Sequence, residues 1–204
     1  MPAVAKHRKR IRRDPDTTRS LILDMTEKLM VEEGYAAVSS RRIAQELGLN
    51  GATIHYYYPT TDDVFIALHK RMTERQSVRI EQLLASENPL SALWNFQSGS
   101  SQTALGVEFL SLSNHRKAIR DILATTTNDA RAAAAAAIEQ SLGKLTLGSE
   151  KVPPAALGTI LVAIGRLLAN EERVGITAGH EDVRDVVDGL MRQLTRTHPE
   201  PKAP

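Results

Sequence analysis

The chain contains no cysteine, which removes disulfide frameworks, thiol catalysis and thiolate metal sites together. A reducing, cytoplasmic setting is the matching expectation. Aromatic residues make up only 4% of the 204 positions, with a single tryptophan, Trp94. A pocket built on stacking against a flat multi-ring ligand is therefore less expected than an aliphatic one. No apolar run reaches bilayer length, and the basic N-terminus is not followed by an apolar signal core, so no membrane partner is expected. The pattern Gly-x-x-x-x-Gly-Lys is absent, which argues against a phosphate-cradling loop. The six histidines, at 7, 55, 69, 115, 180 and 198, form no pair at ligand spacing, so neither a metal nor a cofactor is expected. Long-range assembly of His69, His115 and Glu108 is the one metal-binding alternative. Ser98-Gly99-Ser100-Ser101 reads as a turn and cap rather than a nucleophile. Catalysis has no constellation to carry it, and the chain is not expected to be an enzyme.

The composition, 42% hydrophobic and 25% charged, is that of a globular protein with a buried core. Formal net charge is only +2, but it is unevenly spread. Residues 1–60 carry ten Lys or Arg against seven acids, and Lys6, Arg8, Lys9, Arg10, Arg12 and Arg13 crowd ahead of the first acid, Asp14. Residues 1–15 read as a flexible basic arm. It is either a solvated tail or an arm reaching the backbone or minor groove of DNA.

Residues 16–33 predict a first helix, capped by Asp16 or Thr17, with Ile22, Met25, Thr26 and Leu29 at i, i+3, i+4 and i+7. Gly34 stops it. The stretch 39–58 then holds two short helices and a tight turn. A Ser cap at Ser39 or Ser40 opens one, Ile43, Ala44 and Leu47 form its inner stripe, and Gly48 suits a left-handed helix end. Gly51 or Ala52 opens the next, with Ile54 inward. These are the parts of a helix-turn-helix, whose second helix can enter a major groove. Arg41 and Arg42 suit phosphate or guanine. Thr53, His55, Tyr56 and Tyr57 offer hydroxyls, a ring nitrogen and apolar edges.

From Thr18 to about Val64 the chain resembles the DNA-binding domain of TetR-family transcriptional regulators. The matching elements are Ile22 through Met30, Glu33-Gly34-Tyr35, Ile43-Ala44, Leu47-Gly48-Leu49, Thr53-Ile54 and Tyr57-Tyr58. The resemblance implies that Arg41 reaches a base or phosphate and that Gly51, Ala52, Thr53, His55, Tyr56 and Tyr57 belong to the recognition helix. Tyr57 matches a phosphate-touching position and Tyr58 a core position. Ser39, Ser40, Arg42 and Thr60 are expected to hold phosphates. Two positions depart from the family pattern: His55 stands where Tyr is common, and Thr61 stands where a phosphate-binding Lys opens helix 4. Thr61, Asp62 and Asp63 suit simple capping of that helix.

Beyond residue 60 the pattern predicts helices over about 61–86, 90–98, 101–113, 115–146, 153–174 and 181–197, and no persistent strand alternation. The expected fold is all-α: a three-helix head over 16–60, a helical ligand-binding and dimerisation bundle over 61–197, and a tail over 198–204. The middle helices are the place for an effector. Candidate lining residues are Phe65, Leu68, Met72, Trp94, Phe96, Leu105, Phe109 and Leu112, with His69, Glu108 and His115 as polar handles. Each apolar member has plain core packing as its rival. The run Ala132 to Ala137 reads simply as helix-favouring.

Helix 153–174 is apolar on two sides. Ala155, Gly158, Val162, Gly165 and Ala169 form a stripe of mostly small residues. Leu157, Ile160, Ile164 and Leu167 form a large one opposite. The large stripe is assigned to the body's own core and the small one to a second copy, together with Val183, Val186, Val187, Leu190, Met191 and Leu194. Intrachain packing is the alternative. The resemblance favours a homodimer whose two recognition helices read a palindromic operator on double-stranded DNA. It implies a regulator, most often a repressor, that responds to a small-molecule effector. The rival reading is a helical small-molecule or protein-interaction module whose helix-turn-helix does not read DNA.

Overall fold

The computed structural model describes residues 14–98 and 100–197. The basic arm ahead of Asp14, Gly99 and the 198–204 tail lie outside the described residues. Helix α1 spans Pro15–Glu33. Asp14 caps it, accepting the Asp16 and Thr17 N–H groups at 3.1 Å. Pro15 fits the first turn because its missing N–H has no partner to find there. The expected cap residues, Asp16 and Thr17, are thus inside the helix. A 3₁₀ turn at Tyr35–Ala37 leads to α2 (Ser40–Leu47) and α3 (Gly51–Tyr57). Ser39 caps α2, and Gly48 ends it at φ 62°, a left-handed conformation in which a side chain would be strained.

Six helices follow: α4 (Thr61–Leu84), α5 (Pro89–Ser98), α6 (Ser100–His115), α7 (Lys117–Leu142), α8 (Pro154–Arg173) and α9 (His180–Gln193). Helices dominate, as the periodicity predicts. The departure is a small antiparallel sheet of β1 (Lys144–Leu147), β2 (Glu150–Val152) and β3 (Thr195–Thr197), in the order β2-β1-β3. It takes residues expected to be the end of one helix, a loop and the end of the last helix. Gly143, at φ 68°, ends α7 early, and Gly148, at φ 61°, lets β1 turn back into β2. Leu145 faces Val152 across that pair and is buried.

Two hydrophobic cores result. One runs without a break from Ile22, Ile43 and Ile54 in the head through Phe65 and Leu68 of α4 to Leu105, Phe109 and Leu112 of α6. The expected domain boundary after residue 60 therefore passes through a shared core, and head and body pack as one. The second core joins Leu83, Trp94, Leu142, Leu157, Leu161 and Leu168 to Met191 and Leu194. Here α5 crosses α8 at Gly165. A Cβ on Gly165 would stand 2.1 Å from the Gln97 carbonyl oxygen, so only glycine permits that approach.

Candidate DNA interface and ligand cavity

The outward face of α3 presents Ala52, His55 and Tyr56, with Gly51, Thr53 and Tyr57 half-buried at its edges. Tyr56 is 80% exposed and meets Tyr57 edge-on at 5.1 Å. Arg19 of α1 lies over the Tyr57 ring at 5.4 Å, which steadies that ring and sets a cation beside it. The His55 Nδ1 is 3.1 Å from the Pro59 carbonyl oxygen. A carbonyl can only accept, so Nδ1 carries the proton and Nε2 is left as the neutral ring's acceptor. Arg41 is exposed and makes no ion pair among the described residues.

Other expected phosphate holders are already engaged. Arg42 pairs with Glu33 at 3.0 Å and with Glu46 at 3.1 Å. Ser40 is buried, so its hydroxyl cannot reach a phosphate from this conformation. Ser39 is exposed, and its oxygen accepts the Arg42 N–H at 3.1 Å, leaving its O–H to donate. Thr60 forms a capping box with Asp63: its hydroxyl donates to the carboxylate at 2.7 Å and accepts the Asp63 N–H at 3.2 Å. At the same helix start Asp62 pairs with Arg116, whose guanidinium also lies over the Phe65 ring at 5.6 Å. A cation from the body thus offsets one of the acids where Thr61 replaces a lysine.

A cavity of about 380 Å³ opens among α4, α5, α6, α7 and α8. Of the expected effector residues, His69, Met72, Phe96 and Phe109 line it. The others do not. Phe65, Leu68, Leu105 and Leu112 fill the head-to-body core, and Trp94 fills the second core. Glu108 and His115 turn to the head instead. Glu108 Oε2 accepts the Tyr35 N–H at 2.9 Å, and the His115 ring stacks on Tyr35 at 6.0 Å. Arg173 of α8 joins this contact, 3.8 Å from Glu108 Oε1 and donating to the Val31 carbonyl at 3.1 Å. His69, Glu108 and His115 are thus set to different tasks and make no metal cluster among the described residues.

His69 is held as a neutral imidazole. Burial pushes its pKa down to about 4, and the Arg166 charge adds to that. The Thr126 hydroxyl donates to the Ile122 carbonyl at 2.8 Å, so it accepts from His69 Nδ1, 3.1 Å away. The sequence reading missed the arginines of the cavity. Arg131, Ala134, Ala135 and Ile138 line it at i, i+3, i+4 and i+7 of α7, and Gly158, Val162 and Arg166 at steps of four on α8. An arginine on the same stripe as small residues was the signal available. Ala134 and Ala135, in the run read as merely helix-favouring, leave the space.

Residues 22–68 match the family model described as bacterial regulatory proteins, tetR family. At its head the chain thus matches the tetR family of bacterial regulatory proteins. The chain is 27% identical over 117 residues to the HTH-type transcriptional regulator PksA of Bacillus subtilis, a match covering 53% of this chain. It spans 57% of that relative's length. A transcriptional regulator from Saccharomonospora viridis, solved in complex with choline, shares the fold at a TM-score of 0.69 and 20% identity, covering 90% of this chain and all of that one. A TetR transcription regulator from Haloarcula marismortui does so at 0.66 and 21%, covering 88% of this chain and all of that one. The relatives matched are regulators, not enzymes. No described helix of this chain is long and apolar enough to cross a membrane.

Of the last two helices, α8 exposes a different stripe from the expected one, while α9 exposes part of the expected one. Gly165 and Ala169 are buried, Gly165 against α5 of the same chain, and Ala155, Gly158 and Val162 line the cavity. Val187, Met191 and Leu194 are buried in the second core. The residues left outside are Ile160 and Leu167, 54% and 56% exposed, with Val183, Val186 and Leu190 on α9. Small residues served close approach within the chain, and the large stripe split between core and surface. His180 ties the two helices together, its Nε2 2.8 Å from Glu171 Oε2.

Proposed function

We propose that this protein is a homodimeric, sequence-specific transcriptional repressor, released from a palindromic operator when a small effector enters the cavity. The observation that carries this reading is the double duty of α6. Gly106, Phe109, Leu110 and Ser113 of that helix line the cavity, while Glu108 and His115 of the same helix hold Tyr35 at the entrance to the helix-turn-helix. A ligand that binds one setting of α6 better than another biases the position of the head.

The exposed apolar face of α8 and α9 supports pairing of two copies, which sets two recognition helices at a fixed spacing. Arg41 and the edge of α3 read bases, and Tyr57, Ser39 and the arm ahead of Asp14 serve phosphates. Choline, the ligand of the Saccharomonospora viridis protein, is a cation. The charged side chains of this cavity are arginines, so choline is a poor guide to the effector here.

A gel shift on the DNA upstream of the protein's own gene tests the reading, with random DNA as competitor at moderate salt. Preference for the upstream fragment is expected. Arg41→Ala weakens that binding by about 1–3 kcal/mol if the contact is bidentate to guanine. Arg42→Ala costs less, because its guanidinium is already paired to Glu33 and Glu46. Equal binding to random DNA, or a flat salt dependence, supports the rival reading of a helical interaction module.

A further inference from the structure

We propose that the cavity takes an amphipathic carboxylate, with its anionic head held by Arg131 and Arg166 and an aliphatic tail of medium length against the apolar walls. The proposal rests on reading this cavity as the effector site. Its first support is the charge inventory. The described lining residues include Arg120, Arg131 and Arg166, a neutral His69, and no Asp or Glu. Such a cavity repels cations and leaves an excess of positive charge for a ligand to neutralise.

The three arginines are not equivalent. Arg120 is spent on its own chain, donating to the Ser113 and Asn114 carbonyls at 3.2 Å each. Arg131 and Arg166 make no ion pair among the described residues, and no acid lines the cavity beside them. Arg131 stands at the exposed rim and Arg166 deeper in. Burial lowers the Arg166 pKa, and the Arg131 charge lowers it further, so the two guanidinium groups are near enough to repel. A carboxylate between them converts that repulsion into two charge-assisted attractions, and a planar guanidinium can meet it with two parallel N–H donors.

The walls define the remainder of the ligand. Gly106 of α6 lies beside the Arg166 head: a Cβ there would be in ordinary van der Waals contact, 3.4 Å from Nη2 and 3.5 Å from Nε. Met72, Ile80, Leu123, Ile138, Leu157 and Val162 supply a mostly aliphatic surface. That surface suits a flexible chain and has few ring faces for stacking.

Calorimetric titration of the full chain with decanoate, decanol and decyltrimethylammonium, each below its aggregation concentration, is the test. Decanoate binds tighter than decanol by about tenfold or more, and decyltrimethylammonium is weakest. Arg166→Met and Arg131→Gln each remove most of the decanoate preference while decanol binding persists. Arg131→Gln lies at the rim and leaves the fold intact, so it keeps the test sound should Arg166→Met fail to fold. The proposal is overturned if decanoate shows no binding, if decanol or the ammonium matches it, or if Arg131→Gln leaves the preference unchanged. The gel shift is run in parallel. Operator binding without carboxylate preference defeats only this proposal. Carboxylate binding without operator preference defeats only the regulator reading.

Discussion

Glu108 accepts the backbone N–H of Tyr35 at 2.9 Å, a bond between residues 73 positions apart that fastens α6 to the turn ahead of the helix-turn-helix. The carboxylate is largely shielded from water and also faces Arg173. Removing it leaves a partly buried N–H without a partner. Glu108→Ala is expected to lower the unfolding free energy by about 1–3 kcal/mol. Glu108→Gln keeps an acceptor and loses only the ionic component, so it costs about 1 kcal/mol or less. Urea unfolding of both variants measures the difference. Two unchanged midpoints would show that the bond contributes nothing to the joint.

Two glycines of α8 separate close approach from mere flexibility. A Cβ at Gly165 meets the Gln97 carbonyl at 2.1 Å, whereas one at Gly158 meets nothing within 4 Å. Gly165→Ala must push α5 and α8 apart and is expected to destabilise by about 1–3 kcal/mol or more. Gly158→Ala adds helix propensity in open space and stabilises by about 0.4–1 kcal/mol. Thermal melts should move in opposite directions, and a shared direction would refute the packing argument.

His69 gives a pH signature. Its folded pKa, near 4, lies below the ordinary histidine value of about 6.5. As pH falls, the unfolded chain takes up this proton first, so stability is full above about pH 6.5 and declines as pH drops toward 4. After allowance for water reaching the cavity, the loss between pH 7 and pH 5 is about 1–2 kcal/mol. His69→Gln should flatten that part of the profile, measured by urea unfolding at several pH values. An equally steep loss in the variant would assign the slope to other groups.

The head was legible because its signals are local. A serine cap, a left-handed glycine and a short apolar stripe each act within a turn or two, and the structure places Ser39, Gly48 and Ile43 as those signals require. What failed was the choice between faces. A helix apolar on two sides reveals its stripes but not which one meets its own chain, and residue size misled: Gly165 serves an internal crossing while Leu167 stays outside. Side-chain competition was equally hidden. Nothing near Arg42 in sequence shows that Glu33 lies within 3.0 Å, or that Ser40 faces inward. Arg131 and Arg166 sit 35 positions apart and only the fold brings them to one cavity.

The crossing at Gly165 also gives the cavity a direction of yield. With backbone seated on bare backbone there, α5 cannot slide over α8 without a clash, so that wall is stiff. Another wall, α6, is fastened to the head by side-chain contacts that can lengthen or exchange. If the cavity takes an occupant as proposed, the side free to yield is the one fastened to the head, and a single absent methyl group at Gly165 sets that direction.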